Sequence, residues 1–350
     1  MKKDALIREI TEYLPFDRKL NDSEKEDFVC LLKNNQNDFT PWMKTIYDYF
    51  DSHILSGGEI VSLEVFRESN PSIDFDYYKS VNDAFVSELF KQNRPLYFLD
   101  VDNTLTDLGV LSEEKKSFIS SFEGRNRIIL SSGKNYLSIL NTIEDLNISG
   151  NYSSTINGSV LCYQGSYETV NKLGDVSEEL LSKLLKTGLS VITYYNDKIH
   201  LVKDLTQENI DLLNKYHEYY IDDSRDTKYG DIIKILAFIY EGDCQKEDIV
   251  KNIVKDYPDL VSLRTAWHTY EILRRDQHKG NTVKEIAKRM GYYYRCSVGV
   301  GDSMNDLQML NYVGVPKIVS TSSEDLRKYN FEALSENRET DIVDLIKEYK

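Results

Sequence analysis

The stretch Leu96–Thr106 reads Leu-Tyr-Phe-Leu-Asp-Val-Asp-Asn-Thr-Leu-Thr and constrains the fold more than any other part of the chain. Four apolar residues, Leu96 to Leu99, run directly into Asp100, Val101, Asp102, Asn103 and Thr104. An unbroken apolar run this short is the mark of a strand buried on both faces, as in a parallel sheet covered by helices. In open α/β sheets ligands bind beyond the carboxyl ends of the strands, and both aspartates stand at that end. Folding alone gives no reason for two carboxylates there, because they repel and lose hydration unless a cation or a proton shares the site. Two readings follow: a metal-assisted site built on Asp100 and Asp102, or a strand ending in an Asx-rich turn, since Asp and Asn favour turns.

Composition narrows the partners. Among 350 residues the formal net charge is −15, which argues against a nucleic-acid backbone or an anionic membrane as the main partner. It leaves room for a phosphorylated small molecule, because a metal and one or two lysines set the local sign. Cys30, Cys162, Cys244 and Cys296 are scattered, with neither zinc-ligand spacing nor the look of a disulfide framework. The N-terminus, Met-Lys-Lys-Asp, leads into mixed charge with no apolar leader segment. No run approaches the ~18–20 apolar residues of a membrane span. The expectation is a reduced, cytoplasmic, soluble protein.

The grammar of the chain changes twice. Residues 1–94 show helical stripes such as Trp42, Ile46, Tyr47 and Phe50, broken at Gly57-Gly58. They are read as a helical N-terminal domain of unassigned role, available to a protein partner or to self-association. From 95 strands and helices alternate. A second apolar strand, Arg127–Leu130, ends in Ser131-Ser132-Gly133-Lys134, and a helix follows from about Asn135. Asn157-Gly158 marks a tight turn between Ser154–Ile156 and Ser159–Tyr163. Residues 166–275 read instead as hairpins interleaved with helices, an α+β layer inserted into the first domain. The alternating pattern resumes with a helix after Lys279-Gly280 and a strand, Cys296–Val300, that runs into Gly301-Asp302-Ser303-Met304-Asn305-Asp306. The fold class expected is α/β: a Rossmann-like parallel core over 95–165 and 276–350, with a cap over 166–275.

Three strand ends thus carry polar punctuation: Asp100, Asp102 and Thr104; Ser131; and Asp302, Asn305 and Asp306. In a parallel sheet these ends share one edge. Three or four carboxylates, a hydroxyl and the ammonium of Lys279 would ring one crevice, an oxygen-rich set suited to Mg²⁺. Each member also has an ordinary reading. Ser131 or Ser132 could cap the following helix, the simpler view of either alone. Lys279 could be a solvated lysine, Asp302 an N-cap, and Asp306 a first-turn acid favoured by the helix dipole. Arg274, Arg275 and His278 lie near the return to the core, either as surface charges or within reach of an anionic substrate.

These residues resemble the haloacid dehalogenase superfamily, in its Cof-like phosphatase branch. The first motif, Asp-x-Asp-x-Thr, appears as Asp100-Val-Asp102-Asn-Thr104. The second is Ser131, the third Lys279-Gly280, and the fourth, Gly-Asp-x-x-Asn-Asp, is Gly301-Asp302-Ser-Met-Asn305-Asp306. The long insertion between the second and third motifs matches the position of that branch's α/β cap. Asn103 departs from the glycine found in most relatives, and residues 1–94 lie outside the resemblance.

The resemblance implies a Mg²⁺-dependent phosphatase of small phosphorylated metabolites, such as sugar phosphates. Asp100 would be the nucleophile, forming an aspartyl-phosphate, and Asp102 the acid and base. Thr104, Ser131 and Lys279 would hold the substrate phosphoryl group. Mg²⁺ would sit on Asp100, the main-chain carbonyl of Asp102 and Asp302, with Asn305 or Asp306 nearby. The rivals are a phosphomutase of the same superfamily, since Asp-Val-Asp-x-Thr-Leu-Thr also resembles eukaryotic phosphomannomutases, and a regulatory protein that senses a phospholigand.

Overall fold

A computed structural model describes residues 94–349 apart from 197–198, 202–205, 216–228, 240–243, 267–268 and 293. The helical domain expected before Pro95 lies outside the described residues.

The chain enters a large sheet with β1 (Leu96–Asp100), whose four apolar residues are all fully buried. Helix α1 (Glu113–Ser121) leads to β2 (Ile128–Ser131), and α2 (Tyr136–Asp145) leads to β3 (Tyr152–Thr155). Two further strands, β4 (Val160–Tyr163) and β5 (Ser166–Thr169), add antiparallel to the edge. The α+β layer was expected to begin at 166, but β5 still belongs to the large sheet. The cause is local: Gln164 and Gly165 both take positive φ, 49° and 77°, the two-residue turn that folds a strand back on its neighbour.

The chain then builds a second sheet. Helix α3 (Ser177–Lys186) is followed by β6 (Ser190–Tyr194), β7 (Ile199–Leu201), α4 (Gln207–Lys215), β8 (Lys234–Phe238), α5 (Cys244–Lys255), β9 (Leu260–Ala266) and β10 (Thr269–Arg274). Its order is β7-β6-β8-β10-β9, antiparallel throughout. Side chains of a strand alternate between faces, and both central strands use that alternation. Val191, Ile235 and Ala237 join Leu180, Leu184, Val250 and Val254 of α3 and α5 in one buried cluster. Ile192, Tyr194, Leu236 and Phe238 join the cluster of the large sheet instead. One face of the second sheet therefore carries its own helices, and the other lies against the core.

The return runs through α6 (Gly280–Arg289), β11 (Ser297–Gly301), α7 (Leu307–Tyr312), β12 (Val315–Ile318), α8 (Glu324–Arg327), β13 (Glu332–Ala333) and α9 (Asp341–Glu348). The large sheet has the order β13-β12-β11-β1-β2-β3-β4-β5, parallel from β13 to β3. β1 lies between β2 and β11, with Asp100 opposite Ser131 and Leu99 opposite Val300. This register sets the ends of three non-consecutive segments side by side.

Buried charge ties the two sheets together. Lys234 of β8 donates to Glu271 Oε1 of β10 at 2.6 Å and to the carbonyl of Gly133 at 3.0 Å, while Asn157 Nδ2 donates to Glu271 Oε2 at 2.8 Å. The Lys234 ammonium also lies 4.0 Å from the Tyr194 ring centre, which adds a cation–π attraction. Gly158 has φ +84°, and any Cβ there would come within 2.2 Å of the His278 carbonyl, so the Asn157-Gly158 turn packs directly on the chain leading to Lys279. Removing one member of a buried ion pair strands the other, at a cost of about 3–5 kcal/mol, whereas apolar replacement of both is often neutral. Lys234→Met should therefore lower unfolding stability by a few kcal/mol, and Lys234→Met with Glu271→Leu should recover much of that loss. Urea denaturation of the two variants checks this; equal losses would refute it.

Candidate active site

β1 delivers Asp100 to the crevice 4% exposed. The chain then makes one irregular turn, Val101–Leu105, in which Asn103 has φ 55°. Among residues with a side chain, Asn and Asp tolerate this left-handed conformation best, so Asn103 suits this turn. The turn is clamped from behind. Arg338 Nη2 donates to the carbonyls of Asn103 at 2.8 Å and Thr104 at 2.7 Å, and Lys115 Nζ donates to that of Leu105 at 3.2 Å. Arg338 and Lys115 share one counter-ion, the buried Asp341.

Lys279 lies at the mouth of α6, fully buried, and not in solvent. Its Nζ donates to Asp100 Oδ1 at 2.5 Å and to Asp306 Oδ1 at 2.6 Å. Asp306 spends its other oxygen on backbone donors, accepting from the amides of Asp302 at 3.0 Å and Ser303 at 3.2 Å. Glycine is required at 301, because a Cβ there would lie 2.4 Å from Asp306 Cβ. One carboxylate oxygen from each of Asp100, Asp302 and Asp306 falls within 4.8 Å of the others.

Three carboxylates against one ammonium leave two negative charges without a partner in a largely buried crevice. Burial first, then the charge of Asp306, pushes the Asp100 carboxyl well above the usual carboxylate range, with Lys279 pulling the other way. The same two causes push Asp302 up to about 7. Burial works against the Lys279 ammonium, but Asp100 and Asp306 outweigh it and keep the lysine charged. Clustered carboxylate oxygens are the donors a hard divalent cation takes, and such an ion held by Asp100, Asp302 and Asp306 would supply the missing charge.

Two buried hydroxyls face the same strand ends. Ser131 and Thr104 are 0% exposed, and neither Oγ has a hydrogen-bond partner among the described residues. Buried hydroxyls rarely stay unpaired unless a ligand or water takes them. Neither Ser131 nor Ser132 caps α2; Asn135 does, accepting from the Ser138 amide at 3.0 Å. Asn305 shares the turn of Asp302, its Oδ1 taken by Ser303 Oγ at 2.6 Å. Asp102 lies apart from the three-carboxylate cluster, paired with Lys134 Nζ at 2.7 Å. The arginines near the return are engaged elsewhere, Arg274 with Asp276 and Arg275 with the carbonyls of Pro258 and Leu260. His278 is half-buried, and loss of hydration pushes its imidazole down to about 4.

A family model of haloacid dehalogenase-like hydrolases matches residues 97–346. The chain belongs to this family. A curated relative from Streptococcus pyogenes serotype M6, named "Putative phosphatase M6_Spy0533", is 24% identical over 267 residues, 73% of this chain and 97% of that protein. A haloacid dehalogenase-like hydrolase from Bacteroides thetaiotaomicron superposes with a TM-score of 0.65 at 18% identity, covering 74% of this chain and all of that one. The subclass IIB sugar phosphatase BT4131 superposes with a TM-score of 0.61 at 15% identity, over 73% of this chain and 98% of its own. The family match makes the chain a haloacid dehalogenase-like hydrolase.

Reading the sequence of this hydrolase missed Lys134, Arg338 and the Lys234–Glu271 pair. For Lys134 a weak signal existed, a basic residue directly after Ser-Ser-Gly; for the others there was none. The titration of Asp302 gives a test with a definite sign. Between the ordinary value of 3.8 and about 7, the native state holds a proton that the unfolded chain has lost, so this residue destabilises the metal-free fold as pH rises through that window. Asp302→Asn removes the effect. Without divalent ions, the variant's melting temperature relative to the parent should rise from pH 4 to pH 7 and then level off. Its Mg²⁺-induced thermal shift should be largely lost. A pH-independent difference would refute the assignment.

Proposed function

We propose that this hydrolase removes phosphate from small phosphorylated metabolites, sugar phosphates among them, through an aspartyl-phosphate on Asp100 in a Mg²⁺-dependent reaction. The observation that carries the reading is the Asp100 carboxylate itself: buried, bonded to the Lys279 ammonium and grouped with Asp302 and Asp306. An acceptor of phosphoryl groups needs that combination of a fixed oxygen and local positive charge.

Asp100 attacks phosphorus, the bond to the leaving oxygen breaks, and Asp102 gives that oxygen a proton. Water then attacks the phosphorus of the aspartyl-phosphate, Asp102 takes the water's proton, and the Asp100 carboxylate leaves. Acid–base help of this kind is worth ~10²–10⁴ in rate. Lys279 keeps its charge beside Asp100 throughout, and the unpaired hydroxyls of Ser131 and Thr104 are the donors for phosphoryl oxygens. Asp100, the main-chain carbonyl of Asp102 and Asp302 would hold Mg²⁺, with Asn305 and Asp306 beside them. Bound there, the ion supplies charge neutralisation for the phosphoryl group. The antiparallel sheet over the core acts as the cap that excludes water and selects the leaving group. That BT4131 is a sugar phosphatase supports the substrate class.

Asp100→Asn keeps the volume and removes the nucleophile, so turnover of any phosphate ester should fall to background while the circular dichroism spectrum is unchanged. Full activity in that variant ends the covalent reading. EDTA should abolish phosphate release and added Mg²⁺ restore it; EDTA-insensitive hydrolysis refutes the metal assignment. A panel of phosphorylated metabolites, assayed for free phosphate, identifies the substrate. An isomeric sugar phosphate in place of free phosphate assigns the chain as a mutase instead.

A further inference from the structure

We infer that Lys134 is a positioning residue for Asp102, aiming its carboxylate at the water that hydrolyses the aspartyl-phosphate. The inference rests on the acid–base role proposed above for Asp102. The contact itself is short: Lys134 Nζ donates to Asp102 Oδ1 at 2.7 Å, and the Lys134 side chain is only 10% exposed.

A lysine stem is flexible, so a single contact would position little. Here the backbone around it is immobilised. Ser132 donates through its amide to the Ser154 carbonyl at 2.8 Å, and its own carbonyl accepts from the Asn157 amide at 3.0 Å. The Lys134 amide donates to Ser132 Oγ at 3.1 Å, and the Lys134 carbonyl accepts from the Ile156 amide at 2.9 Å. Between them, the Gly133 carbonyl accepts from Lys234 of the second sheet at 3.0 Å. On the opposite side, the turn bearing Asp102 is held by Arg338 through the next two carbonyls. Two fixed loops therefore meet at one ion pair, and the geometry is preorganised.

The two carboxylates of the first motif each have their own ammonium, Lys279 for Asp100 and Lys134 for Asp102. A base that takes a proton from water must offer an oxygen in a defined direction. With Oδ1 occupied by Lys134, Oδ2 is left for the water. In that step the water oxygen bonds to phosphorus, the bond from phosphorus to Asp100 breaks, and the water's proton goes to Asp102. Without Lys134 the carboxylate turns freely, and this second half slows more than the first.

The test uses the full-length protein with Mg²⁺ and 4-nitrophenyl phosphate, whose leaving group departs without needing a proton. Lys134→Met should release a burst of 4-nitrophenolate equal to the enzyme present, followed by a steady state at least tenfold below the parent. Acid quenching should trap phosphorylated protein, and Lys134→Arg should shrink both effects. Asp102→Asn should show the same burst. If Lys134→Met slows without a burst or trapped phosphate while Asp102→Asn shows both, the positioning role is overturned and the acid–base reading survives. If Asp102→Asn also shows neither, the acid–base reading falls and the inference with it. Should Lys134→Met fail to fold, Lys134→Gln, which keeps a shorter donor, takes its place.

Discussion

A buried ammonium between two carboxylates holds this structure to its purpose. Lys279 reaches Asp100 and Asp306 at 2.5 and 2.6 Å with no exposure of its own. The three residues come from three separate parts of the chain. An uncompensated charge at such a depth would cost several kcal/mol, so the backbones that present them must stay in place together. The packing around them shows how tightly they do. A side chain on Gly301 would collide with Asp306, one on Gly280 with Tyr312 at 2.5 Å, and one on Gly158 with the carbonyl before Lys279. Close backbone approach at these points lets the three polar groups meet.

The same economy appears one layer further out. Lys115, Arg338 and Asp341 form a buried group whose donors end on the carbonyls of Asn103, Thr104 and Leu105. That group fixes the turn of the first motif from the side away from the crevice. Lys234, Glu271 and Asn157 perform the matching task for the second motif from the side of the antiparallel sheet. These two buried groups sit where loops with catalytic candidates would otherwise be free to move, and a satisfied polar network there fixes one arrangement.

Much of this was legible in the sequence, for reasons that are local. Four apolar residues ahead of Asp100 announced a fully buried parallel strand, and β1 is one. Asn157-Gly158 announced a tight turn, and it joins β3 to β4. Turn chemistry decided one boundary that periodicity does not: Gln164-Gly165 keeps β5 in the large sheet, past the expected change of layer. The ordinary readings of Ser131 and Lys279 fell for a tertiary reason. Asn135 does the capping, and Lys279, placed by pattern at a helix start, turned out to have no solvent at all.

By itself the sequence determined the strands, the polar residues at their ends and the kind of chemistry such residues allow, because periodicity and side-chain type act over a few neighbouring positions. Only the tertiary structure decided which charge meets which. Lys279 and Asp100 are 179 positions apart, Arg338 and Asn103 are 235, and Lys134 and Asp102 are 32. Pairings at such separations follow from sheet register and from the packing of one layer on another. Those are properties of the whole buried interior, and no short stretch of chain contains them.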